Sequence, residues 1–254
     1  MDIQQSVGTR RVDGSYARSG PTEAFRQVCR AADFVLLLLC LRRYGCLSSL
    51  QTIRSHHLVE LGPGPTRLSK LKTALLRDIR FVDQSDFGRF DRRLQILDLS
   101  TCEDAEKLLY ETCNVPRHEP VLLFADHCLE HIRPEVLLKF LDSLGRMPVT
   151  VCLRVPNIFS PQGERNYRRD STHKTPFDSE FRQCLQRLGF HIVPFVRWYR
   201  PLMMISFLLQ PREERMRIAD EIMICKGQLP ESSNNPTRSS FGDDSLHPTG
   251  VLKS

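Results

Sequence analysis

Short apolar runs ending in an acidic residue recur along the first half of the chain. They occupy residues 57–60, 79–83, 94–98 and 121–126. A fifth run, residues 149–155, is almost entirely apolar, as expected for a central parallel strand covered on both faces. Because these short runs alternate with stretches of helical spacing, the sequence predicts an α/β fold with a mostly parallel sheet.

Apolar residues at helical spacing predict the connecting helices. These helices cover residues 22–36, 65–76, 101–113, 135–144 and 177–188. Thr22 suits the N-cap of the first helix, whose apolar positions include Val28 and Val35. We expect this helix either to cover the ligand site as a lid or simply to pack on the sheet.

The second half of the chain predicts a long loop followed by two more strands. Residues 156–176 are rich in turn-forming residues, and a loop of this length is typically either functional or disordered. Residues 190–198 and 203–210 favour an antiparallel pair of strands, and residues 212–225 favour a final helix.

One domain is predicted over residues 22–226, between two tails. Residues 1–21 and 227–254 are rich in small and polar residues without periodicity, which is typical of disorder. A chain of 254 residues with 41% hydrophobic residues is long enough for one α/β domain with extensions.

A glycine turn follows the first predicted strand. Gly62 and Gly64 open this turn, and a helical pattern comes next. Glycine lets the backbone approach a ligand, and a helix start offers free N–H groups to it. Since parallel strands end at one edge of a sheet, the acids that end the four predicted strands should line the same crevice.

Three segments resemble class I S-adenosylmethionine-dependent methyltransferases. Val59-Glu-Leu-Gly-Pro-Gly64 is similar to the first motif of that family, and Phe81-Val-Asp-Gln-Ser85 is similar to the second. Ala125-Asp-His-Cys-Leu-Glu-His-Ile132 resembles the signature after the fourth strand. The resemblance covers residues 22–210 and departs at Thr66, where the family has a third small residue.

The resemblance implies a Rossmann-like seven-stranded sheet, mostly parallel with an antiparallel last strand and helices on both faces. The implied cofactor is S-adenosyl-L-methionine. In this picture the glycines admit the cofactor, Asp83 accepts hydrogen bonds from its ribose, and Asp98 and Leu99 lie by its adenine. The implied cofactor-binding set is Glu60, Gly62, Gly64, Asp83, Asp98, Leu99 and Asp126.

Two histidines are candidates for a catalytic base. An imidazole titrates near neutral pH, and both His127 and His173 should lie on the cleft side of the sheet. His173 could equally hold its own loop against the domain. Tyr167 and Trp198 are candidates for lining a substrate pocket, although such aromatic residues often belong to the core.

The run His127-Cys-Leu-Glu-His131 also admits metal binding. Its order matches inverted zinc-peptidase motifs, although here it follows a strand instead of lying within a helix. It resembles the Glu-x-x-Glu-His ion site of ubiquinone-type O-methyltransferases as well, with His127 in place of the first Glu. Magnesium prefers oxygen ligands, so this replacement disfavours it. The sequence therefore predicts no metal, with His131 hydrogen-bonded within the fold.

Composition indicates the cellular compartment of the protein and limits its binding partners. The net charge of +6 comes from scattered arginines without a basic arm, so nucleic-acid binding is not expected. Nine cysteines without a Cys-x-x-Cys spacing favour reduced thiols in the cytoplasm. The longest apolar run, residues 34–41, is far shorter than the about twenty residues of a membrane span.

The sequence thus predicts a cytoplasmic methyltransferase that acts on a small-molecule acceptor, with oxygen as the acceptor atom. It makes no prediction of oligomeric state. Two alternatives stay open. A methyltransferase-like scaffold without activity would bind the cofactor without turnover. An NAD-dependent oxidoreductase would need a third glycine where this chain has Arg67.

Overall fold

The computed structural model describes residues 21–49, 51–63, 75–86, 92–197, 201–211 and 214–227. Several predictions fall on other residues. Outside the described residues lie almost all of the two predicted tails (residues 1–20 and 228–254), residues 65–74 of the second predicted helix, Gly64 and Trp198.

A single sheet of seven strands forms the centre of the described chain. The strands are β1 (His57–Leu61), β2 (Asp78–Asp83), β3 (Leu94–Ile96), β4 (Val121–Asp126), β5 (Thr150–Pro156), β6 (His191–Phe195) and β7 (Glu221–Lys226). Their spatial order is β3-β2-β1-β4-β5-β7-β6. Strands β1 to β5 are parallel, and β7 runs antiparallel to its two neighbours. This arrangement confirms the predicted fold class, including its one antiparallel strand.

Helices cover both faces of the sheet. The described α-helices are α1 (Pro21–Arg43), α2 (Pro134–Arg146), α3 (Pro161–Arg169), α4 (Ser179–Arg187), α5 (Pro201–Leu209) and α6 (Arg215–Ile218). Side chains alternate between the faces along a strand, so Leu58 joins the core under α1 while Val59 and Leu61 join the core under α2 and α4. Among the described residues, no helix has the length and apolar character needed to cross a bilayer.

The prediction for residues 203–225 was wrong in its order of elements. Residues 201–209, predicted in part as a strand, form α5, and the seventh strand lies in the predicted final helix as Glu221–Lys226. The α5 segment consists mainly of Leu, Met and Phe, which a helix accepts, so its apolar character did not distinguish the two structures. Strand β7 is buried at all six positions because β5 and β6 flank it.

Three local predictions also need correction. The predicted loop over residues 156–176 contains α3, which begins after an N-cap at Ser160 and a proline in its first turn. The predicted helix over residues 101–113 is confirmed only for residues 105–112, of which Lys107–Thr112 form a π-helix. In α1, Val28 and Val35 are exposed, because the buried stripe runs instead through Cys29, Phe34, Leu37, Leu38 and Leu41.

Candidate functional site

The turn after β1 requires glycine for two reasons. Gly62 has φ +59°, in the left-handed region that residues with side chains avoid. A Cβ atom placed on Gly62 would lie 2.5 Å from Cys128 Sγ, well inside contact distance. The Gly62 amide donates to the carbonyl of Val82 at 2.8 Å, which ties the turn to the end of β2.

This turn lies at the point where the strand order reverses. Strand β1 pairs with β2 on one side and with β4 on the other. In open α/β sheets, ligands bind beyond the carboxyl ends of the strands at such a switch point. The approach of Gly62 to Cys128 shows that the loops after β1 and β4 meet there.

Two predicted acids lie on neighbouring strands beside the turn. Glu60 on β1 and Asp83 at the end of β2 are both buried, with 5% of each residue exposed. One oxygen of Asp83, Oδ1, accepts a hydrogen bond from the amide of Gln84 at 2.8 Å. The structure therefore brings Glu60, Gly62 and Asp83 together at one edge of the sheet, as the sequence predicts.

Asp98 and Leu99 follow β3, at the far end of the same edge. Asp98 Oδ1 accepts from the Ser100 amide at 2.9 Å and caps a short 3₁₀-helix, Leu99–Thr101. Hydrogen bonds from the Ser100 hydroxyl and amide lower the pKa of Asp98. Leu99 packs against the core under α2. Both residues thus have local structural roles, and their predicted contact with adenine stays a prediction.

The carboxylate of Asp126 is paired with an arginine on the next strand. Arg154 on β5 lies beside Asp126 in the register and donates through Nε to Oδ1 at 2.7 Å and through Nη2 to Oδ2. Burial tends to raise the pKa of Asp126, but the charge of Arg154 outweighs it and lowers that pKa. Arg154 also reaches Asp33 of α1, with Nη1 at 3.3 Å from Oδ2. Asp126, whose side chain is 33% exposed, therefore belongs to an ionic network whose other members Arg154 and Asp33 are buried.

His127 lies between two fully buried carboxylates. Its Nδ1 is 3.2 Å from Glu130 Oε1, and its Nε2 is 2.8 Å from Glu221 Oε1. Burial opposes protonation, but the charges and hydrogen bonds of Glu221 and Glu130 outweigh it and raise the pKa of His127 to about 10. Arg197 Nη2 also lies 2.7 Å from His127 Nε2, and Glu221 Oε1 accepts from Arg197 as well. Because Nδ1 is held by Glu130 and Nε2 by Glu221 and Arg197, both ring nitrogens already have partners, and the general-base role of His127 stays a prediction.

His173, the second predicted base, approaches the same glutamate from another loop. Its Nε2 lies 3.8 Å from Glu130 Oε1, and its ring stacks on Tyr167 at 5.0 Å between centroids. The Glu130 carbonyl accepts from the amides of Lys174 and Thr175, so Glu130 also holds this loop. The two histidines predicted as catalytic, far apart in the sequence, thus flank one buried carboxylate.

Sequence reasoning missed the other charged residues of this edge. Arg154, Glu221 and Arg197 join Asp126 and His127 through ion pairs. One signal was available: Arg154 is the single charged residue in the otherwise apolar fifth strand. Glu221 carried no signal, because its segment was predicted as a helix.

Glu130, His131 and His173 form a group that could hold a metal ion. One potential ligand atom from each lies within 4.8 Å of the other two. The edge as a whole therefore offers a glycine turn, buried carboxylates that can accept hydrogen bonds, and a cluster of imidazoles.

Together, the strand order and the placement of this edge define a Rossmann-like fold of the methyltransferase type. Solved structures with similar folds include a SAM-dependent methyltransferase from Archaeoglobus fulgidus, with 20% identity, a TM-score of 0.49, and coverage of 81% of this chain and 99% of that one. Another is a DUF574 family protein from Streptomyces avermitilis, with 12% identity, a TM-score of 0.48, and coverage of 80% and 83%.

A third similar structure is an S-adenosylmethionine-dependent methyltransferase from Mesorhizobium loti, with 13% identity, a TM-score of 0.44, and coverage of 72% of this chain and 96% of that one. No family model matches the sequence, and no curated protein matches it. The assignment of the fold therefore rests on the strand order and directions.

Proposed function

We propose that this protein is an S-adenosylmethionine-dependent methyltransferase. The observation that carries the proposal is the position of the Gly62 turn beside buried Asp83, at the switch point between β1 and β4. A buried acid at the end of the second strand is suited to accepting hydrogen bonds from ribose hydroxyls. The cofactor supplies the methyl group on a sulfonium centre. The protein's main tasks are therefore to align that methyl group with the acceptor and to exclude water.

The described residues fit such a cofactor. A side chain at position 62 would clash with Cys128, so glycine lets the turn pack closely against the loop after β4. Asp83 Oδ1 is used by the Gln84 amide, and a carboxylate can accept further hydrogen bonds. Glu60, one strand away, would orient the turn or meet the amino-acid part of the cofactor.

Strand order favours this cofactor over NAD. Dinucleotide-binding sheets of the doubly wound type have the all-parallel order 3-2-1-4-5-6. Here antiparallel β7 is inserted between β5 and β6. The position of the third glycine in the dinucleotide motif is Arg67 in this chain, which supports the same choice.

We further propose a small-molecule acceptor that is methylated on oxygen. A hydroxyl acceptor must lose its proton during the transfer, and His173 is the better placed of the two predicted bases. Its Nδ1 lies 2.8 Å from the Tyr167 carbonyl, which can only accept a hydrogen bond. In a neutral ring, Nε2 then carries a lone pair toward Glu130. The nine cysteines are all free, which supports the proposed cytoplasmic location.

Calorimetry with the purified chain tests the cofactor. We expect S-adenosylmethionine and S-adenosylhomocysteine to bind and NAD to show no binding. Asp83→Asn keeps the size of the side chain and should weaken cofactor binding by about 1–3 kcal/mol through lost hydrogen bonds to a charged acceptor. Asp142→Asn, at an exposed position of α2, serves as the matched control and should bind as the wild type does. Unchanged affinity in the Asp83 variant would remove its assigned role.

Transfer of a labelled methyl group tests the acceptor. A metabolite extract and an RNA extract are incubated separately with the protein and labelled cofactor. Label in a small hydroxyl-bearing compound is the expected result. Label in RNA would overturn the small-molecule proposal, and cofactor binding without any labelled product would support the scaffold alternative instead.

A further inference from the structure

Two elements that are distant in sequence bring three metal-binding side chains together. Glu130 and His131 lie in the 3₁₀-turn Leu129–His131 after β4, and His173 lies in the loop after α3. One ligand atom from each lies within 4.8 Å of the others. A search of the sequence by spacing does not reveal this group, because His173 joins it only through the fold.

The hydrogen bond of His173 leaves a lone pair for an ion. Its Nδ1 lies 2.8 Å from the carbonyl oxygen of Tyr167. A carbonyl cannot donate, so Nδ1 carries the hydrogen, and Nε2 of the neutral ring is unprotonated. Metal-binding histidines are commonly oriented by such a hydrogen bond to a carbonyl.

His131 is held in the same tautomer by Thr172. The Thr172 hydroxyl donates its one hydrogen to Asp170 Oδ1, at 2.5 Å. It must therefore accept from His131 Nδ1, which lies 2.8 Å away. Nε2 of the neutral His131 ring is then the nitrogen with the lone pair, as in His173.

Glu130 supplies a carboxylate oxygen that is not otherwise satisfied. The residue is fully buried, and Oε1 accepts from His127. Oε2 is buried and has no hydrogen-bond partner in the described part of the chain. Buried polar atoms of this kind are rare, and an unseen ion is one of the recognised explanations.

We propose that Glu130, His131 and His173 bind a divalent first-row transition-metal ion. Two imidazole nitrogens and one carboxylate oxygen suit zinc, iron or manganese better than magnesium or calcium, which take oxygen ligands. Bonds of about 2.0–2.2 Å require the three ligand atoms to move together by about an ångström, which side-chain rotation allows. Three protein ligands leave coordination positions open for water or an acceptor.

This site rests on the proposed function and deepens it. It differs from the ion site considered from the sequence, because His173 takes the place of His127, and it departs from the expectation of no metal. The turn that carries Glu130 follows Cys128, which touches Gly62 at the proposed cofactor turn. An ion here would bind the acceptor's hydroxyl oxygen and lower its pKa, and that proton would pass to solvent water as the methyl group moves from the sulfonium to the oxygen. His173 would then act as a ligand instead of as the base proposed above.

Metal titration of the tag-free chain, first stripped with a chelator, tests the proposal without any activity measurement. We expect one equivalent of Zn²⁺ to bind, Mn²⁺ to bind more weakly and Mg²⁺ not to compete. Glu130→Gln and His173→Ala should each abolish stoichiometric binding of Zn²⁺. His118→Ala, at an exposed position before β4 on the opposite edge of the sheet, should bind zinc as the wild type does.

A second variant covers the case in which buried Glu130→Gln fails to fold. Thr172→Val removes only the hydroxyl that orients His131 at an exposed position, and we expect zinc affinity to fall about 10- to 100-fold. No stoichiometric Zn²⁺ binding by the wild type, or wild-type binding by folded His173→Ala, would overturn the proposal. Cofactor calorimetry on the stripped chain is separate: cofactor binding without zinc binding rejects this site alone, and zinc binding without cofactor binding rejects the methyltransferase proposal alone.

Discussion

Arg154 holds both carboxylate oxygens of Asp126 across two adjacent parallel strands. The same guanidinium lies 3.3 Å from Glu221 Oε2 on β7 and 3.3 Å from Asp33 Oδ2 on α1. One buried cation therefore joins the centre of the sheet, its antiparallel strand and the N-terminal helix. Such a network is stable only while each charge keeps its partners.

Removal of this cation should strongly destabilise the protein. Arg154→Met keeps much of the side-chain volume but leaves the Asp126 and Glu221 carboxylates without their main partner, so we expect a loss of about 3–5 kcal/mol in the free energy of unfolding. Urea unfolding measures this loss. The matched control is Arg146→Met, an exposed arginine paired with Asp142 on α2, which should change stability by less than about 0.5 kcal/mol. Equal losses in the two variants would mean that the network does not stabilise the fold.

The same network should make stability depend on pH in the acid range. Burial would raise the pKa of Asp126, but Arg154 lowers it below its ordinary value of 3.8. A carboxyl with a lowered pKa stabilises the folded state above the unfolded pKa, and that contribution is lost as the pH falls through the folded pKa.

We therefore expect the stability difference between the wild type and Asp126→Asn to be largest near pH 6 and to shrink below about pH 4. Chemical unfolding at a series of pH values measures this difference. Asp142→Asn, at an exposed site, should give a curve parallel to that of the wild type. A difference that is constant down to pH 3 would show that Asp126 is not held ionised by Arg154.

The glycine turn allows a paired comparison. Gly62→Ala places a side chain at φ +59° and against Cys128, so we expect a loss of about 2–4 kcal/mol and weakened cofactor binding. Gly45→Ala meets a similar φ of +72° with no atom within 4 Å of the new Cβ, and should cost only about 1–2 kcal/mol. Unfolding and calorimetry of both variants separate the backbone effect from the clash. Similar losses in both would argue against close packing at the turn.

A buried lysine holds the end of α2. Lys226 Nζ on β7 donates to the carbonyls of Leu144, Gly145 and Met147, at 3.0, 2.6 and 3.0 Å. Lys226→Met removes these hydrogen bonds and should lower the free energy of unfolding by about 1–3 kcal/mol. Hydrogen exchange at the last turn of α2 should rise in the variant. Lys139→Met, an exposed control on the same helix, should leave both quantities near those of the wild type.

Local sequence pattern was sufficient for the first five strands and for α2. Each strand is a short apolar run bounded by turn residues, and Pro134 begins α2 as its position predicts. The apolar run at residues 203–210 was ambiguous, since Leu, Met and Phe pack equally well in a helix. Which segment became the seventh strand depended on the space between β5 and β6.

The same distinction between local sequence and tertiary context applies to the candidate site. The sequence by itself determined the glycine turn and the acids at the strand ends, because backbone freedom and chain direction are local properties. Only the tertiary structure decided what those groups meet: Arg154 neutralises Asp126, Glu221 and Glu130 raise the pKa of His127, and His173 reaches Glu130. Charge, protonation and metal affinity depend on distances between segments far apart in the chain, and those distances arise only when the sheet is assembled.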